Sequence, residues 1–201
     1  MGNLRFAVIG HRAPSTGKLS LNDLAGAGGR MDVLVRAVNT ALFLSHAMRP
    51  DVDVTLHLLG GEGRPRRIWF EGGRLRGVHA DERSIAGHIA RLLLTPVPPI
   101  GRLTEASPGL WHTGGELADT LREWQGEGVT LFKLDAAGND LERVLADGVP
   151  QRFGFILSDD RPFDSAEELL LAEYALPVSV GAEWLQGHSV IAIVHHLLDR
   201  I

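Results

Sequence analysis

Leu176-Pro177-Val178-Ser179-Val180-Gly181-Ala182-Glu183-Trp184-Leu185-Gln186-Gly187-His188-Ser189-Val190-Ile191-Ala192-Ile193-Val194-His195-His196-Leu197-Leu198 is the stretch whose reading decides the fold. Val178-Ser179-Val180 reads as the end of a buried strand, and Gly181 supplies the backbone freedom that a tight turn or a close ligand approach needs. After the turn, Val190, Ile191, Ile193, Val194, Leu197 and Leu198 recur at helical spacing with little polar surface between them, which predicts a helix buried widely rather than along one stripe. Strand, glycine turn and apolar helix in so short a span is how an α/β protein builds a ligand crevice at a strand end. The same pattern also serves a helix that only closes a core.

Upstream of this stretch the periodicity switches repeatedly between strand and helix. Leu4 to Ile9 reads as a central strand, followed by a long polar loop over residues 10 to 30, a helix from about Met31 to Met48 and a strand at Val52 to Leu59. Residues 64 to 78 read as a basic β-hairpin, Arg67 to Phe70 against Arg74 to Val78 around Gly72-Gly73, with Arg64, Arg66, Arg67, Arg74 and Arg76 around Trp69 and Phe70. Asp81 is placed to cap a helix that ends before Thr95 and the prolines beyond it. Further strands are expected at Leu110 to His112, Val129 to Leu134 and Phe153 to Leu157, separated by helices at about Gly115 to Gln125, Leu141 to Leu145 and Ala166 to Tyr174. The alternation predicts an α/β fold, a mostly parallel sheet covered by helices on both faces, with ligands at the C-terminal ends of strands.

Length and composition suit one domain: 201 residues, 44% apolar. No run reaches the ~18 apolar residues of a membrane span, no signal-peptide pattern opens the chain, and the absence of cysteine removes disulfides and thiolate metal sites, so a cytoplasmic location is expected. The net charge of −5 excludes a generally basic nucleic-acid binder. Its distribution is uneven: residues 1–100 carry 13 Lys and Arg against 8 Asp and Glu, residues 101–201 carry 7 against 17. Eighteen of the 20 basic residues are arginine, whose planar fork suits phosphate, although a genome rich in G and C produces the same bias.

Three tempting motifs fail. Gly10 and Gly17 are too widely spaced for a phosphate-binding P-loop, and Leu19 stands where the magnesium-binding hydroxyl belongs. Gly26-Ala27-Gly28-Gly29 lacks the third glycine of a dinucleotide site. His195 and His196 are adjacent, so on a helix they point about 100° apart and cannot both face one ion; no metal is expected. Taken alone, Asp32 reads as an acid at a helix N-terminus, and Arg30 and Arg36 as solvated cations.

Two separated signatures change that reading. Ser179-Val180-Gly181 with the run Ile191 to Leu198, Asp199 and Arg200 resembles the C-terminus of SPOUT-class RNA methyltransferases, specifically the TrmY family of tRNA pseudouridine N1-methyltransferases. Gly10-His11-Arg12-Ala13-Pro14, Ser20-Leu21-Asn22-Asp23-Leu24 and Gly29-Arg30-Met31-Asp32-Val33-Leu34 resemble that family's N-terminal signature, so the likeness spans almost the whole chain. The resemblance implies a single SPOUT domain over residues 1–201 with a C-terminal trefoil knot, the cofactor knot spanning about 129–201. It implies S-adenosylmethionine as methyl donor and pseudouridine 54 of tRNA as target, in a homodimer. Cofactor contacts are then expected from Leu134, Leu157, Ser158, Val178, Ser179, Val180, Gly181, Ala182, Glu183 and Val190. Asn22, Arg30 and Arg36 become substrate-binding residues, and Asp23 and Asp32 catalytic ones. The chain departs from the family pattern at Ser158 and Pro162, where glycines are usual, and at Ser189-Val190, where a cysteine is usual. Methylation of another RNA nucleotide, and a non-catalytic RNA-binding protein that keeps the knot, are the alternatives.

Overall fold

The computed structural model describes residues 2–201. Within them the chain runs β1 (Leu4–Pro14), α1 (Met31–Leu42), β2 (Val52–Gly60), β3 (Arg66–Glu71), α2 (Glu82–Leu93), β4 (Thr104–Ser107), β5 (Leu110–Gly114), α3 (Leu117–Gly126), β6 (Thr130–Asp140), α4 (Leu141–Ala146), β7 (Phe153–Ser158), α5 (Ser165–Tyr174), β8 (Leu176–Ser179) and α6 (Gly187–Leu198). The eight strands form one sheet in the order β4-β5-β3-β2-β1-β7-β6-β8. β2, β1, β7, β6 and β8 are mutually parallel, while β3, β5 and β4 continue the sheet as an antiparallel wing.

β1 sits centrally because both of its faces are apolar, as a parallel strand covered by helices on each side requires. Phe6 and Val8 belong to one packed cluster with Leu34, Val38 and Ile191 from α1 and α6; Ala7 and Ile9 belong to another with Leu121, Trp124 and Leu171 from α3 and α5. On the first face Phe6, Phe132, Phe153 and Phe155 stack, with Phe132 and Phe155 centroids 5.2 Å apart. The expected cap at α2 is present, with Asp81 accepting from the Ser84 N–H at 2.7 Å. No described helix is long and apolar enough to cross a membrane.

Three local expectations are corrected. The 64–78 segment is not a hairpin: both edges of β3 are taken, by β2 on one side and β5 on the other, so residues 74–78 have no ladder to join and turn back on Glu71 O instead. Its arginines are not one basic surface either. Arg66 is fully buried and donates to Leu92 O (2.7 Å) and Thr95 O (2.6 Å), satisfying carbonyls at the end of α2, and Arg67 is buried in a forked pair with Glu123 (2.7 and 2.8 Å). α1 ends at Leu42 rather than Met48, because Phe43 turns extended and bridges to Met48. α6 is buried along one side only: Ile191, Val194 and His195 are inside, whereas Val190, Ile193, Leu197 and Leu198 are half-buried and Ala192 is exposed.

Candidate functional site

The C-terminal ends of β7 and β8, with the middle of β6 where its register with β8 shifts after Leu134, open into one cleft of about 680 Å³, within the usual size of a small-molecule site. Leu134, Leu157, Val178, Val180 and Val190 supply its apolar surface. Gly181, at φ 147°, carries the chain from β8 across the mouth in a conformation that L side chains rarely adopt; its N–H donates to Ser179 Oγ (3.1 Å) and its carbonyl accepts from the same hydroxyl (2.7 Å). Ser158 lines the cleft, but its hydroxyl closes on Arg161 O within its own loop. Of the residues expected around a cofactor, Leu134, Leu157, Ser158, Val178, Val180, Gly181, Glu183 and Val190 meet here; Ser179 stands behind the lining, bracing the turn, and Ala182 is exposed outside the lining.

Arg30 and Arg36 reach the same cleft from the N-terminal half. Arg30 caps α1 at φ 65°, the single left-handed non-glycine among the described residues. Such a conformation is strained and is kept where the surroundings enforce it. The preceding residue is also confined: a Cβ on Gly29 would lie 2.1 Å from Arg12 O, so the loop is pressed onto the end of β1. The Arg30 guanidinium is held by Asp32 Oδ1 (2.9 Å) and Asp160 Oδ2 (2.9 Å), and Asp32 Oδ2 also takes Arg36 at 3.4 Å. Asp32 is thus a buried brace beneath two arginines, both of its oxygens occupied.

Asn22 and Asp23 are not in this cleft. Asn22 Oδ1 accepts from Arg83 (3.2 Å), and the exposed Asp23 accepts from the Gly26 and Ala27 N–H groups. The Ala27 and Gly26 bonds hold its carboxyl below the usual aspartate range.

Several groups around the cleft were not singled out by the sequence. Lys133 pairs with Asp135 (2.8 Å) and Glu168 (2.6 Å); burial works to lower its pKa, but these two partners outweigh burial and hold it above the ordinary lysine value. His11 lies between Asp159 Oδ1 and Glu167 Oε2, 2.9 Å from each, and burial is likewise outweighed, by Glu167 and then Asp159, so its pKa is raised. That bridge ties the end of β1 to the β7 loop and the start of α5. Trp184, 80% exposed, and Phe163 add aromatic surface to the cleft. Trp184, three residues beyond Gly181, and His11, within the N-terminal signature, were the signals present in the sequence. Among the described residues no group of three or more His, Asp or Glu is placed to hold a metal ion.

Residues 4–201 match the family described as SAM-dependent RNA methyltransferase. The chain is 40% identical over 199 residues to a protein of Methanosarcina mazei named tRNA (pseudouridine(54)-N(1))-methyltransferase, covering 97% of this chain and 90% of that one. To the protein of the same name from Haloarcula marismortui it is 41% identical over 197 residues, covering 97% and 96%. Among solved structures, Archaeoglobus fulgidus Nep1 bound to S-adenosylhomocysteine superposes with a TM-score of 0.68 at 16% identity over 100% of this chain and 98% of that one, a likeness of fold. With a match across nearly its whole length and relatives at this identity, the chain belongs to the SAM-dependent RNA methyltransferase family.

Proposed function

We propose that this protein methylates N1 of pseudouridine 54 in tRNA with S-adenosylmethionine as donor, the activity for which its relatives are named. The observation that carries the reading is that one cleft joins three strands of the C-terminal half, β6, β7 and β8, to Arg30 and Arg36 of the N-terminal half. The lining fits the donor: Leu134, Leu157, Val178, Val180 and Val190 offer an apolar slot for an adenine ring, and strand-end backbone groups offer hydrogen bonds to its edge. When bound, the donor supplies a methyl group on a positively charged sulfonium.

The remaining work falls to the chain's own residues. Pseudouridine exposes an N1–H, so the nitrogen must be oriented and its proton released while negative charge spreads to the ring carbonyls, directly to the adjacent C2 carbonyl and through the C5–C6 double bond to that at C4. Arg30 and Arg36, braced by Asp32, are suited to stabilise that charge. Asp32 has its oxygens occupied, which supports a positioning role and leaves solvent to take the proton. Asp23 orders the loop that presents Arg30. Catalysis in this scheme is mainly positioning.

The same reading includes a trefoil knot through the 176–198 stretch, a cytoplasmic location and a homodimer. Ile193, half-buried on α6 and outside the packed core, supports a second copy packing there. Light scattering at micromolar concentration is expected to give twice the 21.8 kDa chain mass; a monomer would remove the dimer from the scheme.

Calorimetric titration with S-adenosylmethionine, followed by nucleoside mass spectrometry of a tRNA incubated with protein and donor, tests the function: binding and a methylated pseudouridine at position 54 are expected. Arg36→Gln separates the roles. It removes a cation without setting a third acid beside Asp32 and Glu82, as Arg36→Glu would. Transfer to tRNA should fall roughly a hundredfold, the lower end of the loss seen when one donor to a transition-state charge is removed, with donor affinity unchanged. Arg143→Glu, on the exposed side of α4, should leave both unaltered.

A further inference from the structure

Outside the cleft, a groove of about 430 Å³ runs between α2 and the 18–21 segment. Lys18, Arg83 and Arg91 line it, and no Asp or Glu does. Elsewhere the arginines are mostly neutralised: Arg5, Arg12, Arg30, Arg36, Arg49 and Arg67 each meet a carboxylate. In the groove Arg83 instead donates to the neutral Asn22 amide at 3.2 Å, Arg91 donates to the His88 ring at 3.1 Å, and all three cations are exposed.

The acids nearest in sequence are already engaged. Asp81 accepts from the Ser84 N–H and Glu82 from Arg36. His88 adds no positive charge at neutral pH, since burial, with Arg91 alongside, holds its pKa below the ordinary value despite the bond to Gly77 O.

The floor of the groove is equally particular. Gly87 lies one turn from Arg83 and one turn from Arg91, on the same side of α2. A glycine inside a helix is destabilising relative to alanine. Packing does not require it here, because a Cβ built on Gly87 would meet nothing within 4 Å. What glycine provides is bare backbone between two cations, open to close approach.

We propose that this groove is a phosphate-binding track for tRNA, extending the substrate footprint from the cleft along α2. The inference rests on the methyltransferase reading and names a further contact surface for its substrate. Continuity supports it: Arg36 on the cleft is bonded to Glu82, and the next residue, Arg83, opens the groove. Cations free of carboxylates are what counterion release from RNA favours, and such contacts fix register on structured RNA without reading sequence.

The test compares unsubstituted protein with the double variant Arg83→Glu, Arg91→Glu in tRNA binding measured across a salt series. The Kd should rise on the order of tenfold or more, and the dependence of log K on log salt should flatten by roughly 1.4 to 1.8 for two lost contacts. The KM for tRNA should rise with kcat little changed, and S-adenosylhomocysteine affinity should stay the same. Gly87→Leu, which fills the floor without altering charge, should weaken tRNA binding while keeping the salt slope. Wild-type tRNA affinity, slope and KM in the double variant, the result expected if the groove instead held an acidic protein segment, would overturn the proposal and leave the cleft reading intact. An equal loss in Arg143→Glu would overturn it too, since only the overall field would then matter. Failure of the unsubstituted protein to methylate tRNA would overturn the methyltransferase reading and this inference with it.

Discussion

Gly181→Val is expected to lower the affinity for S-adenosylmethionine roughly ten- to a hundredfold while leaving the protein folded. At φ 147° the residue occupies backbone space open to glycine, and a β-branched side chain there costs about 1–3 kcal/mol or forces the turn to move. At ~1.4 kcal/mol per factor of ten, that strain alone accounts for the range if it is relieved by releasing the turn. Release would break both hydrogen bonds to Ser179 and withdraw a wall of the cleft. The fold should survive because Gly181 is exposed and a Cβ there meets no neighbour within 4 Å. Titration calorimetry beside a thermal melt reads both quantities. Undiminished affinity in a variant that melts like the parent would refute the assignment of this turn to the donor.

The second large effect is loss of stability on mild acidification. Three buried histidines are held neutral: burial takes His57 to about 3 and His112 to about 4, and burial with Arg49 alongside takes His195 to about 4. Neither ring nitrogen of His57 has a hydrogen-bond partner. An unfolded histidine titrates near 6.5, so between that pH and the folded values the unfolded chain binds more protons and stability falls as pH falls. Each ring contributes up to ~1.4 kcal/mol per pH unit in this window, of order 3 kcal/mol by pH 4. Together they rival the ~5–15 kcal/mol that holds a typical domain.

Two groups oppose the trend. His11, with its pKa raised, contributes stability fully present below 6.5 and lost as pH rises through its folded value. Asp53, raised by burial, takes up its proton earlier in the folded state. His88, also held below its ordinary value by burial, adds to the decline, and four groups against two leave the net direction downward. Urea unfolding at pH 7.5, 6 and 5 should show the decline, and His57→Leu should make it shallower by the share of one ring. A free energy of unfolding that is the same at pH 5 and pH 7.5 would rule this account out.

Periodicity had already ordered the elements. Alternation of apolar residues gave β1, β2, β7 and the helices between them, the polar side chain of Asp81 gave a cap, and Val178-Ser179-Val180-Gly181 gave a strand that ends in a turn. These features are local: a side chain's direction along a strand or helix follows from its position in the repeat. The cofactor-side expectations were mostly legible for the same reason, since strand C-termini of a parallel sheet open on one side; Leu157 and Val178 stand next to such ends, and Leu134 stands where β6 shifts register against β8.

Only the tertiary structure decided which neighbours those elements have. Arg66 and Arg67 sit in a stretch that any reading by charge puts in solvent, yet β3 is enclosed by β2 and β5, which drives both arginines inward onto carbonyls of α2 and onto Glu123. His11 meets Asp159 and Glu167 across 148 and 156 residues of sequence, because β1 and β7 are adjacent in the sheet and distant in the chain. Asp23 in the polar loop and Asp32 at the start of the helix that follows look equally available as acids, but the left-handed turn at Arg30 brings Asp32 beneath the cleft and leaves Asp23 in solvent. The apolar repeat of α6 specified a helix without specifying how much of it a single chain would cover. Direction within an element is set by local geometry, whereas partnership between elements is set by sheet order, and one chain's periodicity carries no record of that order.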